Sequence, residues 1–131
     1  MIIYEWRGTF SKGEVAALHA EGFAHETGQH DWWKQVREHS LGWVCARDAG
    51  TLIGFVNVAW DGADHAFLLD ILTTASYRRQ GVGTAVVAVA EDNARKAGCE
   101  WLHVDFGPQL GPFYLNGCGF QETAAGLIAL R

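Results

Sequence analysis

Basic residues are scarce in this chain. Lys and Arg together number 10 against 15 Asp and Glu, a net charge of -5, and they are scattered. Affinity for a phosphate backbone comes from clustered Lys and Arg, so a general nucleic-acid binder is excluded. No stretch approaches the roughly 20 apolar residues that span a bilayer. The first residues, Met1 to Arg7, carry an acid and a strand-like pattern where a signal peptide has a basic stretch and then an apolar block, which makes the cytoplasm the expected compartment. Cysteine is limited to Cys45, Cys99 and Cys118. Their odd number, wide separation and apolar neighbours argue against a disulfide framework or a zinc site and predict reduced core residues. Linkers, internal repeats and low-complexity segments are missing too. A chain of 131 residues that is 49% hydrophobic suits one globular domain, residues 1–131, with a real core.

What is present is a regular succession of elements. Ile2 to Arg7 reads as a strand. Ser11-Lys12-Gly13-Glu14 is a capping box ahead of Val15, Ala16 and Leu18, with Gly22 as a stop, and Asp31 caps a second helix carrying Trp32, Trp33 and Val36. Trp43 to Arg47 and Thr51 to Trp60 form a hairpin around Asp48-Ala49-Gly50, and Asp61-Gly62-Ala63-Asp64 turns the chain into a third strand, Ala66 to Thr73. A helix follows with Val82, Ala85, Val86, Val89 and Ala90 on one stripe, ending at Ala97-Gly98. Trp101 to Phe106 is a strand, residues 110–118 a short helix, and Phe120 to Leu130 short closing strands.

The segment with the most chemistry is Tyr77-Arg78-Arg79-Gln80-Gly81-Val82-Gly83-Thr84, which leaves a strand and opens a helix. A first helical turn has N–H groups without intrahelical partners and a positive dipole end, which suits phosphate. Gly81 and Gly83 keep side chains away, Arg78 and Arg79 add positive charge, and Thr84 adds a hydroxyl. An ordinary helix start beside two arginines would look similar. A Walker loop is ruled out because Lys-Ser/Thr is missing, and a dinucleotide fingerprint because position 86 is Val where a third glycine is needed.

Here the chain resembles the GCN5-related N-acetyltransferase (GNAT) family, whose acetyl-CoA signature is Arg/Gln-x-x-Gly-x-Gly/Ala between its fourth strand and the next helix. Arg78-Arg79-Gln80-Gly81-Val82-Gly83 fits every fixed position, Leu69 to Ser76 looks like the fourth strand and its exit, and Gly119-Phe120 looks like the Gly-Phe that closes the later helix. The resemblance implies a mixed α+β domain with a mostly antiparallel twisted sheet of six or seven strands and about four helices. It also implies an N-acetyltransferase that moves an acetyl group from acetyl-CoA, its acyl donor, to an amine-bearing acceptor by direct attack. Binding of the donor would fall to Leu72, Thr73, Thr74, Arg78, Arg79, Gln80, Gly81, Val82, Gly83 and Thr84. Neither a metal, a membrane nor nucleic acid enters that picture, and a monomer and a homodimer both remain open.

Acyl transfer needs the thioester carbonyl polarised, the amine deprotonated and the thiolate protonated. By resemblance, backbone N–H groups at Leu72 and Thr73, with Thr74 nearby, supply the first. Asp70 is the candidate base, with Asp105 behind it, though a strand acid can equally face solvent. Tyr114 is the candidate acid. The family pattern has three residues between that tyrosine and the glycine, and here there are four, so Tyr114 is rotated by about 100° in a regular helix unless Gly117 permits a bulge. Acceptor specificity falls to His25, Glu26, His30, Asp31, Trp32 and Trp33, aromatics and acids that suit a cationic amine but that core packing explains as well. The displaced tyrosine leaves a second reading open, a non-catalytic acyl-CoA-binding or regulatory module.

Overall fold

The computed structural model describes residues 1–23, 28 and 30–131. Five strands, β1 (Ile2–Trp6), β2 (Ser40–Asp48), β3 (Thr51–Trp60), β4 (His65–Thr73) and β5 (Trp101–Val104), form one sheet in the order β1-β2-β3-β4-β5. The first four run antiparallel and β5 joins parallel to β4. α1 (Lys12–Gly22) and α2 (Trp32–His39) lie between β1 and β2, and α3 (Val82–Lys96) makes the crossover from β4 to β5. Among the described residues no helix is long and apolar enough to cross a membrane.

The local chemistry accounts for these elements. Ser11 Oγ accepts from the Glu14 N–H at 3.2 Å and Glu14 Oε1 accepts from the Ser11 N–H at 2.9 Å, so the capping box starts α1 as its sequence predicts. The β2–β3 turn holds Ala49 at φ 49° and Gly50 at φ 85°, the two left-handed residues of the hairpin turn that matches strand twist.

Two apolar clusters lie on opposite faces. The α3 face packs Val82, Val86, Val87, Ala90 and Ala94 against Val44, Ala46, Val56, Val58, Ala66 and Leu68. The other face packs Val15, Leu18, Trp32 and Val36 against Trp43, Cys45, Phe55 and Leu72. Burial of each Val, Leu or Phe side chain among these contributes about 1.5–3 kcal/mol. Gly54, opposite Thr73 in the ladder, lets α3 come close: a Cβ there would meet Val82 Cγ1 at 2.8 Å. The start of α3 is thereby seated at the finish of β4.

The strand count is smaller than expected. Residues 121–131 are exposed and form no strand, because no backbone hydrogen bond joins them to the sheet among the described residues. β5 is also shorter than read, since Asp105 and Phe106 have no partner strand.

Candidate active site

β4 is the spine of the site. It pairs with β5 only from His65 to Leu68, and from Leu69 onward the edge that would face β5 is open. The register against β3 explains the parting. Asn57 faces Leu69 and Phe55 faces Leu72, so Val56 alone stands opposite Asp70 and Ile71, a β-bulge. Asp70 takes φ 55°, a left-handed conformation that aspartate tolerates better than most residues but that still stores strain. Strict alternation would send Asp70 to the α3 face with Ala66 and Leu68. The extra residue turns its carboxylate to the other face instead, where Oδ1 lies 3.3 Å from His19 Nε2 of α1. Burial pushes the Asp70 carboxyl up from the ordinary range and the nearby His19 partly opposes it. A carboxylate so placed is a better proton acceptor.

Around this pair lies a cavity of about 390 Å³ lined by Ala16, His19, Gly28, His30, Trp32, Gln35 and Asp70. The Trp32 ring stands 4.7 Å from the rings of His19 and His30, and His30 Nε2 meets Gln35 Oε1 at 2.5 Å. Two expected acceptor residues have other work. Trp33 packs edge-on against Phe10 and Trp43, and the Asp31 carboxylate caps α2 by accepting from the Lys34 N–H at 3.0 Å. His25 and Glu26 lie outside the described residues.

Beyond the bulge, the Thr74 N–H donates to the Ile53 carbonyl at 2.9 Å. Antiparallel alternation then directs the Leu72 N–H to β3 as well and the Thr73 N–H to the open edge. Of the two candidate oxyanion donors, Thr73 is the one with a free direction. The Thr74 hydroxyl donates to Glu21 Oε2 at 3.0 Å, and the Ala75 N–H donates to Glu21 Oε1 at 2.6 Å. Those two bonds, the backbone one first, hold the Glu21 carboxyl below its usual range and pin the end of α1 to the exit of β4.

The turn into α3 is similarly tied. Tyr77 donates to Asp48 Oδ2 at 2.5 Å, Arg78 Nε to the Thr73 carbonyl at 3.3 Å and Gln80 Nε2 to the Ser76 carbonyl at 3.0 Å. Arg79 at φ 65° and Gly81 at φ 82° bend the backbone left-handedly just before Val82, Gly83 and Thr84 begin the helix. These three N–H groups precede the first intrahelical bond, and no side chain caps them. Space in front of Gly81 is open, whereas a Cβ on Gly83 would come within 3.1 Å of Phe113 Cζ, so the second glycine serves helix packing. Gly81, Arg79 and Thr84 are exposed, as a phosphate site requires.

Phe113 leads to the tyrosine. Residues Pro112–Gly117 form a π-helix, with the Cys118 N–H donating to the Phe113 carbonyl at 2.9 Å. A turn closed five residues back holds one residue more than an α-turn. It absorbs the extra residue before Gly119. Tyr114 is buried, stacked on Phe106 at 4.8 Å and edge-on to Phe113 and Phe120. Burial first, then the neighbouring Cys118, pushes its hydroxyl up to about 12, so it carries its proton throughout the physiological range. Among the described residues no fully buried side-chain polar atom lacks a partner, and nothing bonds the Tyr114 hydroxyl, whose oxygen is therefore not completely sealed from solvent.

Cys45 is fully buried and burial pushes its thiol up to about 12; burial raises Cys99 and Cys118 too. None has the depressed pKa of a nucleophilic thiol. Asp105 is exposed past the end of β5. Sequence reasoning missed His19 and Glu21. The only local signal for His19 is its place between Leu18 and Ala20, both buried.

A family model described as the acetyltransferase (GNAT) family matches residues 3–120. No curated protein sequence matches the chain. Among solved structures, a GNAT family acetyltransferase from Streptococcus pneumoniae TIGR4 superposes with a TM-score of 0.80 at 21% identity, covering 100% of this chain and 98% of its own. Glucosamine-6-phosphate N-acetyltransferase from Arabidopsis thaliana gives 0.76 at 17%, with 97% of each chain covered. The aminoglycoside N-acetyltransferase AAC(6')-Iy in complex with CoA gives 0.73 at 18%, over 100% of this chain and 95% of its own. At these identities the likeness establishes a shared fold.

Proposed function

The chain belongs to the acetyltransferase (GNAT) family, and from that premise we propose that it moves an acetyl group from acetyl-CoA to the primary amine of a small molecule or protein. The observation that carries the reading is the parting of β4 from β5 after Leu68, which leaves the Thr73 N–H on an open edge beside the start of α3. A diphosphate is held by the N–H groups of Val82, Gly83 and Thr84 with Arg79 alongside, while Arg78 and Gln80 keep the turn in shape and Leu72 and Thr74 fix the strand that ends there. The open space at Gly81 supports this fit.

The amine nitrogen attacks the thioester carbonyl carbon and the carbonyl electron pair moves onto oxygen, where the Thr73 N–H donates to it; one such donor typically lowers the barrier by about 3 kcal/mol. Asp70 takes the proton lost by the amine, directly or through water. When the C–S bond breaks, Tyr114 gives its proton to the departing thiolate and regains one from solvent. An amine in the cavity beside Asp70 and Trp32 meets both a carboxylate and an aromatic face, which suits a cationic acceptor before it loses its proton.

Thiol release measured over a panel of amines tests the proposal. Turnover that requires both Asp70 and Tyr114 supports it. Tight CoA binding with no thiol release for any amine, alkyl or peptidyl, would assign the chain to the non-catalytic acyl-CoA-binding class.

A further inference from the structure

We propose that His65 and His103 together bind one divalent transition-metal ion of the nickel and copper class, on the face of the sheet away from α3, where β4 and β5 are still paired. Alternation places them there. Ala66 and Leu68 of β4 are buried in the α3 cluster and Leu102 and Val104 of β5 pack against it, so His65, Phe67, Trp101 and His103 project from the opposite face. This part of the face is open to water: Phe67 is 38% and Trp101 57% exposed. An ion has free access to it.

The two rings are held as a pair. In the parallel register Phe67 stands opposite His103 and His65 opposite Trp101, which sets the two histidines on a diagonal. The His103 ring stacks on Phe67 with centroids 4.6 Å apart and planes 18° apart, and this fixes its tilt. His65 Nδ1 then lies 2.7 Å from His103 Nε2. One of these two nitrogens carries a proton when the contact is a hydrogen bond. An ion takes the place of that proton: with each ring in the tautomer protonated on its far nitrogen, two lone pairs converge on one point. Two nitrogens about 2.1 Å from an ion and at a right angle stand about 3.0 Å apart, so opening the pair by about 0.3 Å makes it a chelate.

The ligand chemistry selects the ion. Two neutral imidazoles favour the borderline transition metals over magnesium and calcium, which take oxygen. Among the described residues no group of three or more His, Cys, Asp or Glu is placed to hold an ion, so water fills the remaining positions. That is unlike a closed structural zinc site and suits the tetragonal N,O coordination of Cu²⁺ and Ni²⁺. Local charge helps. Neither β4 nor β5 contains Lys or Arg, and Asp61, which accepts from the His65 N–H at 3.1 Å, sets a carboxylate at the same end of β4. The histidines are 38 residues apart in sequence and meet only across the paired strands, so the ion favours the folded chain and braces β4 to β5 just before they part after Leu68.

Calorimetric titration of the tag-free full chain with Ni²⁺ near neutral pH tests this. The expected result is one saturable site per chain and a melting temperature that climbs with Ni²⁺ concentration. His65→Gln and His103→Gln should each weaken binding at least about tenfold, the loss that removing even an outer partner of a metal ligand brings, and abolish the thermal shift. His39→Gln, on α2, should change neither. Paramagnetic shifts of the histidine ring protons read the same site in the unsubstituted chain, where His65 and His103 should be displaced first. The absence of saturable binding overturns the proposal. So does binding that keeps its strength in either variant, falls equally with His39→Gln, or displaces other histidines first, each of which would mean an adventitious ion only.

Discussion

The two faces of this sheet offer opposite kinds of contact. On the α3 face, the contacts proposed for the acyl donor are backbone: the Thr73 N–H on an open strand edge and the first N–H groups of α3, exposed by one glycine in a left-handed turn. On the α1–α2 face the groups are side chains, Asp70, His19, His30 and Trp32, around a cavity of about 390 Å³. The bulge at Asp70 joins the two, because one inserted residue both ends the pairing with β5 and swings a carboxylate through to the far face. Backbone contacts tolerate change in most side chains, while the cavity depends on each of its own.

Substitution should separate the two faces. The largest effect is expected from Asp70→Asn. Asparagine also accepts the left-handed conformation, so the bulge persists while the carboxylate is lost, and kcat/KM should fall about 10³-fold with an unchanged melting temperature. Thiol release and a thermal melt check both halves of that statement. In the wild type, burial raises the Asp70 carboxyl, so the acid side of the rate profile should begin its fall at a higher pH than an ordinary aspartate gives. Tyr114→Phe keeps the stacked ring and removes only an unbonded hydroxyl; kcat should drop about 10²-fold with little loss of stability. Because that hydroxyl titrates at about 12, the wild-type rate should show no alkaline fall from this group below roughly pH 11.

Gly81→Ala tests the backbone side. At φ 82° alanine is strained by about 1 kcal/mol, and the cradle should relax away from its ligand, raising the CoA dissociation constant about tenfold with kcat nearly unchanged. Calorimetry with CoA and steady-state rates distinguish this from damage to the cavity.

The smallest effect concerns the tie that holds α1 on the sheet. Arg47 donates to both Glu14 oxygens, at 2.7 and 2.9 Å, and this lowers the Glu14 carboxyl to about 2 from 4.5. The folded value lies below the unfolded one, so the stabilisation is full above about pH 4.5 and is lost as pH falls towards 2. With solvent screening it amounts to about 1 kcal/mol. Denaturant unfolding at pH 7 and pH 3 should show this increment reduced by about half at the lower pH in the wild type and missing at both values in Arg47→Met.

The same contrast of backbone and side chain explains what could be read from the residues alone. Hairpin, capping box, α3 stripe and glycine turn are local, and Ser11-Lys12-Gly13-Glu14 or Arg78 to Gly83 announce them within a few positions. His19 meets Asp70 only because α1 folds over a bulge, and nothing adjacent to either residue reports that meeting. The Tyr114 spacing was legible as an anomaly, and the π-turn that absorbs it depends on packing of Phe113 against Gly83 and of Tyr114 against Phe106. The closing strands expected from the apolar tail do not form, since no backbone hydrogen bond joins residues 121–131 to the sheet among the described residues.

The central claim is that backbone amides at the β4 exit and the α3 start grip the acyl donor. Amide hydrogen exchange with and without acetyl-CoA measures it directly. The account predicts slowed exchange at Thr73, Val82, Gly83 and Thr84 on binding; saturable binding that leaves all four amides unchanged would contradict it.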